Sequence, residues 1–165
     1  MQGIAPQEMA MREAGVKPEL ECFDSGAFDA VRIIRDGIFW TDNDQLEREP
    51  DLLTDPLWCT FFFGWPGQSC QPMTDIALFN QIYHRPEHIN WSMSCMSRSP
   101  QEYWAQINRG VLQNGHIRVG YEDCGRHPDG AYASCNADLV ERVVQMAKNV
   151  GAEIFATAGN DGLKA

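Results

Sequence analysis

Hydrophobic and polar positions along this chain fall into blocks that switch between the alternating period of a strand and the longer period of a helix. Leu57 to Phe63 is a continuous apolar run, the pattern of a strand covered on both faces. Pro18 to Phe23, His88 to Cys95 and His116 to Tyr121 also read as strands, and helices fit between them. Gln7 to Ala14 opens at Pro6 and stops at Gly15; Ala27 to Asp36 carries apolar Phe28, Val31 and Ile34 and ends at Gly37; Thr74 to Arg85 is cut by Pro86. Ser99-Pro100-Gln101-Glu102 is a capping box with proline in the first turn, predicting a helix that runs to Gly115. Asn136 reads as the cap of an amphipathic helix with Leu139, Val143 and Ala147 at spacing four, stopped by Gly151, and Ala152 to Ala158 reads as a last short strand. The acidic segment between Ile38 and Pro56 has neither period and reads as a loop insertion. Strand–helix alternation of this kind implies right-handed crossovers and a parallel sheet, an α/β fold with about four or five strands. Beyond that alternation there is no internal repeat.

Composition narrows the class. The chain has 165 residues, a single domain by size, and 44% hydrophobic against 22% charged residues supports a buried core. Thirteen basic against 23 acidic residues give a net charge of −10, which argues against a nucleic-acid or anionic-membrane surface, since either needs a basic face. The longest apolar stretch, Leu57 to Trp65, is far short of the roughly 18 residues needed to span a bilayer. Met1 to Ala10 carries neither a basic region nor an apolar core of a secretory signal, so a soluble, cytoplasmic protein is expected. Cys22, Cys59, Cys70, Cys95, Cys124 and Cys135 stand singly, without the Cys-x-x-Cys spacing of a zinc ribbon or redox motif, and read as reduced and mostly structural.

In a parallel sheet, chemistry collects at the carboxyl ends of the strands. On the strand at Pro18, Glu19, Glu21 and Phe23 share one face; on the strand at His116, Arg118, Gly120 and Glu122 share one face, and Asp123 follows where strand passes into loop. An arginine and two carboxylates at one strand end suit an anionic substrate and a metal. The same residues equally suit a structural ion pair between Arg118 and Glu19 or Glu21. His84-Arg85-Pro86-Glu87-His88 matches a metallopeptidase pattern by letter, but Pro86 breaks the helix that pattern requires. Phe63-Gly64-Trp65-Pro66-Gly67 reads as a tight turn rather than a phosphate loop, and His127 as decoration of a Gly/Pro loop.

Two stretches carry a resemblance. Gly15-Val16-Lys17-Pro18-Glu19-Leu20-Glu21-Cys22-Phe23-Asp24 resembles the G-V-K-P-E-x-E-x-F-D segment of the β-keto acid cleavage enzymes, and Gly115-His116-Ile117-Arg118-Val119-Gly120-Tyr121-Glu122-Asp123 resembles that family's G-H-x-R-V-G-x-E-D strand. Phe63-Gly64-Trp65-Pro66-Gly67, Trp91-Ser92-Met93 and the helix from Asn136 follow in the expected order. The resemblance implies a (β/α)₈ barrel, of which this chain matches the C-terminal half, strands five to eight plus the last helix. It implies a zinc-dependent condensation of a β-keto acid with acetyl-CoA, giving acetoacetate and a new acyl-CoA, the best-known case being 3-keto-5-aminohexanoate cleavage in lysine fermentation. By resemblance Glu122 is a metal ligand, Asp123 the acid/base residue, Arg118 its supporting partner, and Glu21, with Glu19 behind it, the substrate-binding pair.

Departures set further expectations. The family's two metal-binding histidines come from an early His-x-His strand, and this sequence has no His-x-His. Zinc normally takes three or four protein ligands, so Glu122 needs histidines from a missing half. Cys95, Ser97 and Cys124 replace residues usual in the family, and Ile38 to Pro56 is longer than the family's connection. The chain is therefore expected to be inactive alone and to act with an N-terminal half or as a homo-oligomer. The alternatives are a non-catalytic remnant or interaction module of the same fold, and a metal-free anion-binding domain.

Overall fold

The structure is a computed structural model that describes residues 10–11, 13–24, 26–27, 30, 38–40, 46–48, 57–65, 67 and 89–154. Among the described residues the elements run, in chain order, β1 (Glu19–Cys22), β2 (Ile38–Trp40), β3 (Leu46–Arg48), β4 (Leu57–Phe63), β5 (Ile89–Cys95), α1 (Pro100–Leu112), β6 (His116–Ile117), α2 (Tyr121–Cys124) and α3 (Asn136–Asn149). Four of the strands form one sheet in the order β1-β4-β5-β6, every pair parallel. Spatial order follows chain order with no reversal, the winding of a barrel rather than of an open doubly wound sheet. The alternation of strands and helices thus gives the α/β fold it predicts.

The register makes the sheet two-faced. Thr60 pairs with Ser92 and Phe62 with Ser94, while Glu21 pairs with Thr60 and Ser92 with His116. Because successive side chains point to opposite faces, one face carries Glu19, Glu21, Thr60, Phe62, Ser92, Ser94 and His116. The other carries Cys22, Cys59, Phe61, Phe63, Trp91, Met93 and Cys95, all buried in one hydrophobic cluster with Tyr103, Trp104 and Ile107 of α1 and Leu139 of α3. Phe61 and Trp91 meet edge to face at 6.1 Å, and so do Tyr103 and Trp104 at 5.3 Å. Cys22, Cys59, Cys95 and Cys124 are free and buried, and Cys135 is free and exposed. Among the described residues no helix is long and apolar enough to cross a membrane.

Helix ends follow their local chemistry with small shifts from the sequence pattern. Ser99 caps α1, its hydroxyl accepting the Glu102 N–H at 3.3 Å, while the Glu102 carboxylate accepts from Ser97 instead of from the cap backbone. The helix ends at Leu112, short of Gly115. Asn114 takes the left-handed conformation (φ 56°), and the N–H groups of Asn114 and Gly115 return to Val111 and Gly110 in a Schellman motif. α3 closes in the same way on Gly151 (φ 72°). Asn136 is not the cap of α3 but its first residue; Cys135 holds the cap position without a side-chain bond. Ser134 bonds forward to Asp138 through its N–H at 2.8 Å and its hydroxyl at 3.1 Å, which ties the preceding segment to the first turn.

Other expectations meet the structure unevenly. The segment read as an irregular insertion contains a short antiparallel ladder, Ile38 with Arg48 and Trp40 with Leu46. Its signal was the apolar Ile38-Phe39-Trp40 run ahead of turn-forming Thr41-Asp42-Asn43-Asp44. Residues 10, 11 and 13 are helical, with Gly15 at φ 67° ending the helix as expected. Residues 26, 27 and 30 are helical too, and the Asp24 carboxylate accepts the Ala27 N–H at 2.9 Å. Residues 152–154 are not in a strand. The helix expected over Thr74 to Arg85, the histidines of His84 to His88, and Cys70 lie outside the described residues.

Two glycines show how closely α1 lies on the sheet. A Cβ on Gly110 would meet the Ile117 Cδ1 at 2.6 Å, the mobile tip of an aliphatic chain, whereas one on Gly115 would lie 2.5 Å from the Trp91 indole. That ring is 2% exposed and has nowhere to retreat. Gly115→Ala is therefore expected to cost about 1–3 kcal/mol by overpacking. For Gly110→Ala, a helix-propensity gain of about 1 kcal/mol offsets most of the strain. Urea denaturation of the two variants measures the contrast, and equal losses would contradict it.

Candidate active site

The site grows out of the end of β6. The Arg118 N–H donates to Met93 O at 2.9 Å, the last rung of the ladder, and the chain then leaves the sheet. Gly120, with extended backbone, opens the single helical turn of α2, and its carbonyl accepts the N–H groups of Asp123 and Cys124, each at 3.1 Å. Contacts distant in sequence hold that turn. The Tyr121 N–H donates to Asn136 Oδ1 at 3.0 Å, and its hydroxyl donates to Ala133 O. The strand expected over His116 to Tyr121 is thus two residues long, and Arg118, Gly120 and Glu122 do not share a strand face.

The helical turn instead separates the two carboxylates. Glu122 points outward, its side chain 62% exposed, and ion-pairs with Arg118 four residues before it. Asp123 points inward with a side chain 0% exposed, and Arg118 Nη1 lies 3.7 Å from its Oδ1. Neither Asp123 oxygen has a hydrogen-bond partner, and the buried Ser94 hydroxyl is also without one. That hydroxyl lies close enough to favour the charged carboxylate, though too loosely to count as bonded. Burial outweighs both neighbours and holds the Asp123 carboxyl above the usual carboxylate range, with Arg118 and Ser94 pulling the other way. The effect is mutual: burial and then Asp123 push the Cys95 thiol up to about 12 and raise the Tyr103 hydroxyl.

Arg118 is fixed from below as well. Its guanidinium sits over the Phe62 ring at 5.3 Å, Phe62 stacks on Phe23 at 4.8 Å, and Trp65 meets both edge-on. Gly64 (φ 71°) and Gly67 (φ 79°) turn the chain beside Trp65, the tight turn the sequence suggests.

Glu19 and Glu21 lie on the same sheet face and join a different group. The Thr60 hydroxyl donates to Glu19 Oε1 and contacts the Ser92 hydroxyl. Glu21 is exposed and in register with Thr60. Among the described residues neither glutamate pairs with Arg118, so the alternative of an Arg118–Glu19 or Arg118–Glu21 ion pair is replaced by pairing with Glu122 and Asp123. Register gives the reason: Arg118 is level with Ser94 and Phe62, one row nearer the carboxyl ends than Glu21 and two rows beyond Glu19. His127 bonds Asp138 at 3.2 Å and stacks on Trp104, which ties down its loop. Ser94 and Phe62 carried no role in the sequence reading. The Ser92-x-Ser94 alternation inside a buried strand was the signal that one face is polar.

Zinc needs three or four protein ligands. Among the described residues no three His, Cys, Asp or Glu side chains come close enough to hold a metal, and Glu122 has no such companions.

Comparison with known proteins places this geometry. The sequence profile of the beta-keto acid cleavage enzyme family matches residues 2–159. The chain belongs to that family. It is 32% identical over 143 residues to the 3-keto-5-aminohexanoate cleavage enzyme of Fusobacterium nucleatum, covering 86% of this chain and 45% of that protein. It is 31% identical over 143 residues to the enzyme of that name from Acetoanaerobium sticklandii, with the same coverage. Identity to the 3-dehydrocarnitine:acetyl-CoA trimethylamine transferase of Rhizobium meliloti is 33% over 154 residues, 90% of this chain and 44% of that protein. This β-keto acid cleavage family member therefore spans a little under half the length of the curated relatives it matches.

The state of Asp123 has a measurable consequence for this family member. A carboxyl raised on folding binds more protons folded than unfolded, so stability falls as pH rises from the ordinary value of 3.8 through the raised one. The cost is complete above the raised value. Asp123→Asn removes it and is expected to unfold at higher urea than the parent chain at neutral pH. The gap should narrow as pH falls toward 3.8. An asparagine variant less stable at neutral pH would show that Arg118 outweighs burial.

Proposed function

We propose that this chain is the acid–base half of an enzyme that condenses a β-keto acid with acetyl-CoA, releasing acetoacetate and a new acyl-CoA. The observation that carries the reading is Asp123, a buried carboxyl without a hydrogen-bond partner, beside an arginine at the carboxyl end of a parallel sheet. Burial raises its proton affinity, which suits removal of a proton from a carbon flanked by a ketone and a carboxylate. The relatives support the chemistry: two are 3-keto-5-aminohexanoate cleavage enzymes and one is a 3-dehydrocarnitine:acetyl-CoA trimethylamine transferase.

The residues divide the work. Asp123 takes the proton. Arg118, its side chain 37% exposed, keeps N–H donors for the substrate carboxylate while it holds Asp123 and Glu122 in place. Glu21, with Glu19 behind it, lines the same face further from the strand ends and meets the rest of the keto acid. A zinc ion held by Glu122 and donors from elsewhere would supply Lewis-acid polarisation of the keto carbonyl. Glu122 is the donor this chain contributes, and the remaining ligands come from another half of the barrel or from a second copy.

A second reading, an interaction module of the same fold without metal or turnover, is favoured by the incomplete ligand set among the described residues. One experiment separates the two. The chain is combined with the N-terminal portion of a family relative, and acetoacetate formation from 3-keto-5-aminohexanoate and acetyl-CoA is followed. The enzyme reading expects product, and a fall of at least about a hundredfold in Asp123→Asn. Assembly without turnover supports the module, and an Asp123→Asn complex as active as its parent sinks the acid–base assignment. Elemental analysis of the same complexes tests Glu122. Glu122→Gln is expected to lose most of the zinc that the parent complex holds, and full retention would remove Glu122 from the ligand set.

A further inference from the structure

From the arrangement around Arg118 we infer that Phe62 is a positioning residue: its ring is the platform that holds the guanidinium between the two carboxylates. The inference deepens the acid–base reading of Asp123 and rests on it for its catalytic consequence. Arg118 must serve two groups in opposite surroundings. Glu122 is 62% exposed, and water competes for it; Asp123 is 0% exposed and lies 3.7 Å from the guanidinium, a looser contact than the one to Glu122. With the carboxylates alone, a long and flexible side chain would follow the closer, exposed partner outward and leave Asp123 buried beside nothing.

The sheet prevents this. Phe62 is on β4 and Arg118 follows β6, so β5 lies between them. The β5 residue in register with Phe62 is Ser94, whose short side chain leaves room for the guanidinium to reach the ring at 5.3 Å. The ring itself cannot move. Phe62 is 2% exposed, stacked on Phe23 with 14° between the ring planes, and bounded edge-on by Trp65. A planar cation over a fixed aromatic face keeps its plane and its place while its N–H groups stay free to bond in that plane. The contact of the Phe62 ring with the site is the one to Arg118, and it acts on the carboxylates through that guanidinium.

The test uses the full chain labelled with ¹⁵N-arginine, and its first readout needs no turnover. In the parent chain, Phe62 ring protons are expected to show contacts to the Arg118 side chain, and the ring should displace the Arg118 Nε–H resonance. Absence of those contacts would overturn the inference without any variant. Phe62→Leu keeps an apolar side chain but has no ring face. It should abolish the displacement and speed solvent exchange of the Nε–H several-fold, and Phe62→Tyr should restore both. An unchanged Arg118 signal in Phe62→Leu would also overturn it. In the complex with an N-terminal family half, Phe62→Leu is expected to lower kcat about ten- to a hundredfold, with little change in the KM for acetyl-CoA. Phe62→Tyr should recover most of the loss. A parent complex without turnover would count against the proposed function, while the resonance of Arg118 would still decide the platform.

Discussion

The seven-residue parallel pairing of β4 with β5 is the constraint on which the rest of the structure depends. It fixes Thr60 opposite Ser92 and Phe62 opposite Ser94 on one face, and Cys59 opposite Trp91 and Phe61 opposite Met93 on the other. A slip of one residue would turn Ser92 and Ser94 toward α1 and put Trp91 and Met93 among the glutamates. Each such serine would then need a hydrogen-bond partner inside an apolar cluster, at a cost of about 1–3 kcal/mol apiece. The helix packs on one side and chemistry gathers on the other because this register admits only that sorting. It also leaves Phe62, an aromatic ring on the polar face, in reach of Arg118.

Stability and chemistry pull against each other at Asp123. Burial of a carboxyl beside an arginine that does not close to hydrogen-bond distance is an arrangement that packing alone would discard. The surroundings deepen the conflict, since Cys95 and Tyr103 feel its charge while the buried Tyr103 hydroxyl makes no hydrogen bond. A structural ion pair would bring the charges together and satisfy the carboxylate. Here the exposed Glu122 has the close contact and the buried Asp123 the loose one. That inverts what stability favours and matches a group kept ready to exchange a proton.

Much of this was legible in the residues, and the reasons for the rest are local. β4, β5 and α1 stood out because period, length and capping agree at each of them: a seven-residue apolar run, a strand with alternating serines, and a Ser-Pro-x-Glu start. The early end of β6 was not legible, because the turn at Tyr121 is held by Asn136 and Ala133, partners more than ten residues away. Alternation carried past Ile117 placed Glu122 on the same strand face as Arg118, whereas Glu122 in fact sits on the turn of α2 and ion-pairs with Arg118 from there. The association of Arg118 with both carboxylates was readable as a cluster, but which of the two would be buried was not. That choice depends on the side to which the turn rotates, and no residue within the motif specifies it. Glu19 and Glu21 were grouped with the site by their strand, whereas register sets them two rows and one row away from it, respectively.

The site divides by sequence distance. Arg118, Glu122 and Asp123 lie within six residues, on one strand end and one turn, so their mutual geometry is set by local backbone and by the tethers of Tyr121. Such a unit keeps its arrangement whatever occupies the edges of β1 and β6. A metal centre is the opposite case, since its donors must converge from separate strands and it is complete only when every strand is in place. A chain of this family can therefore hold a buried carboxyl beside its arginine where too few metal donors converge. That is the combination seen among the described residues: a positioned arginine, a buried carboxyl, and a single outward glutamate with no companion donors. Under the proposed function, proton transfer would rest on residues of this chain alone, while metal binding would wait on donors from elsewhere.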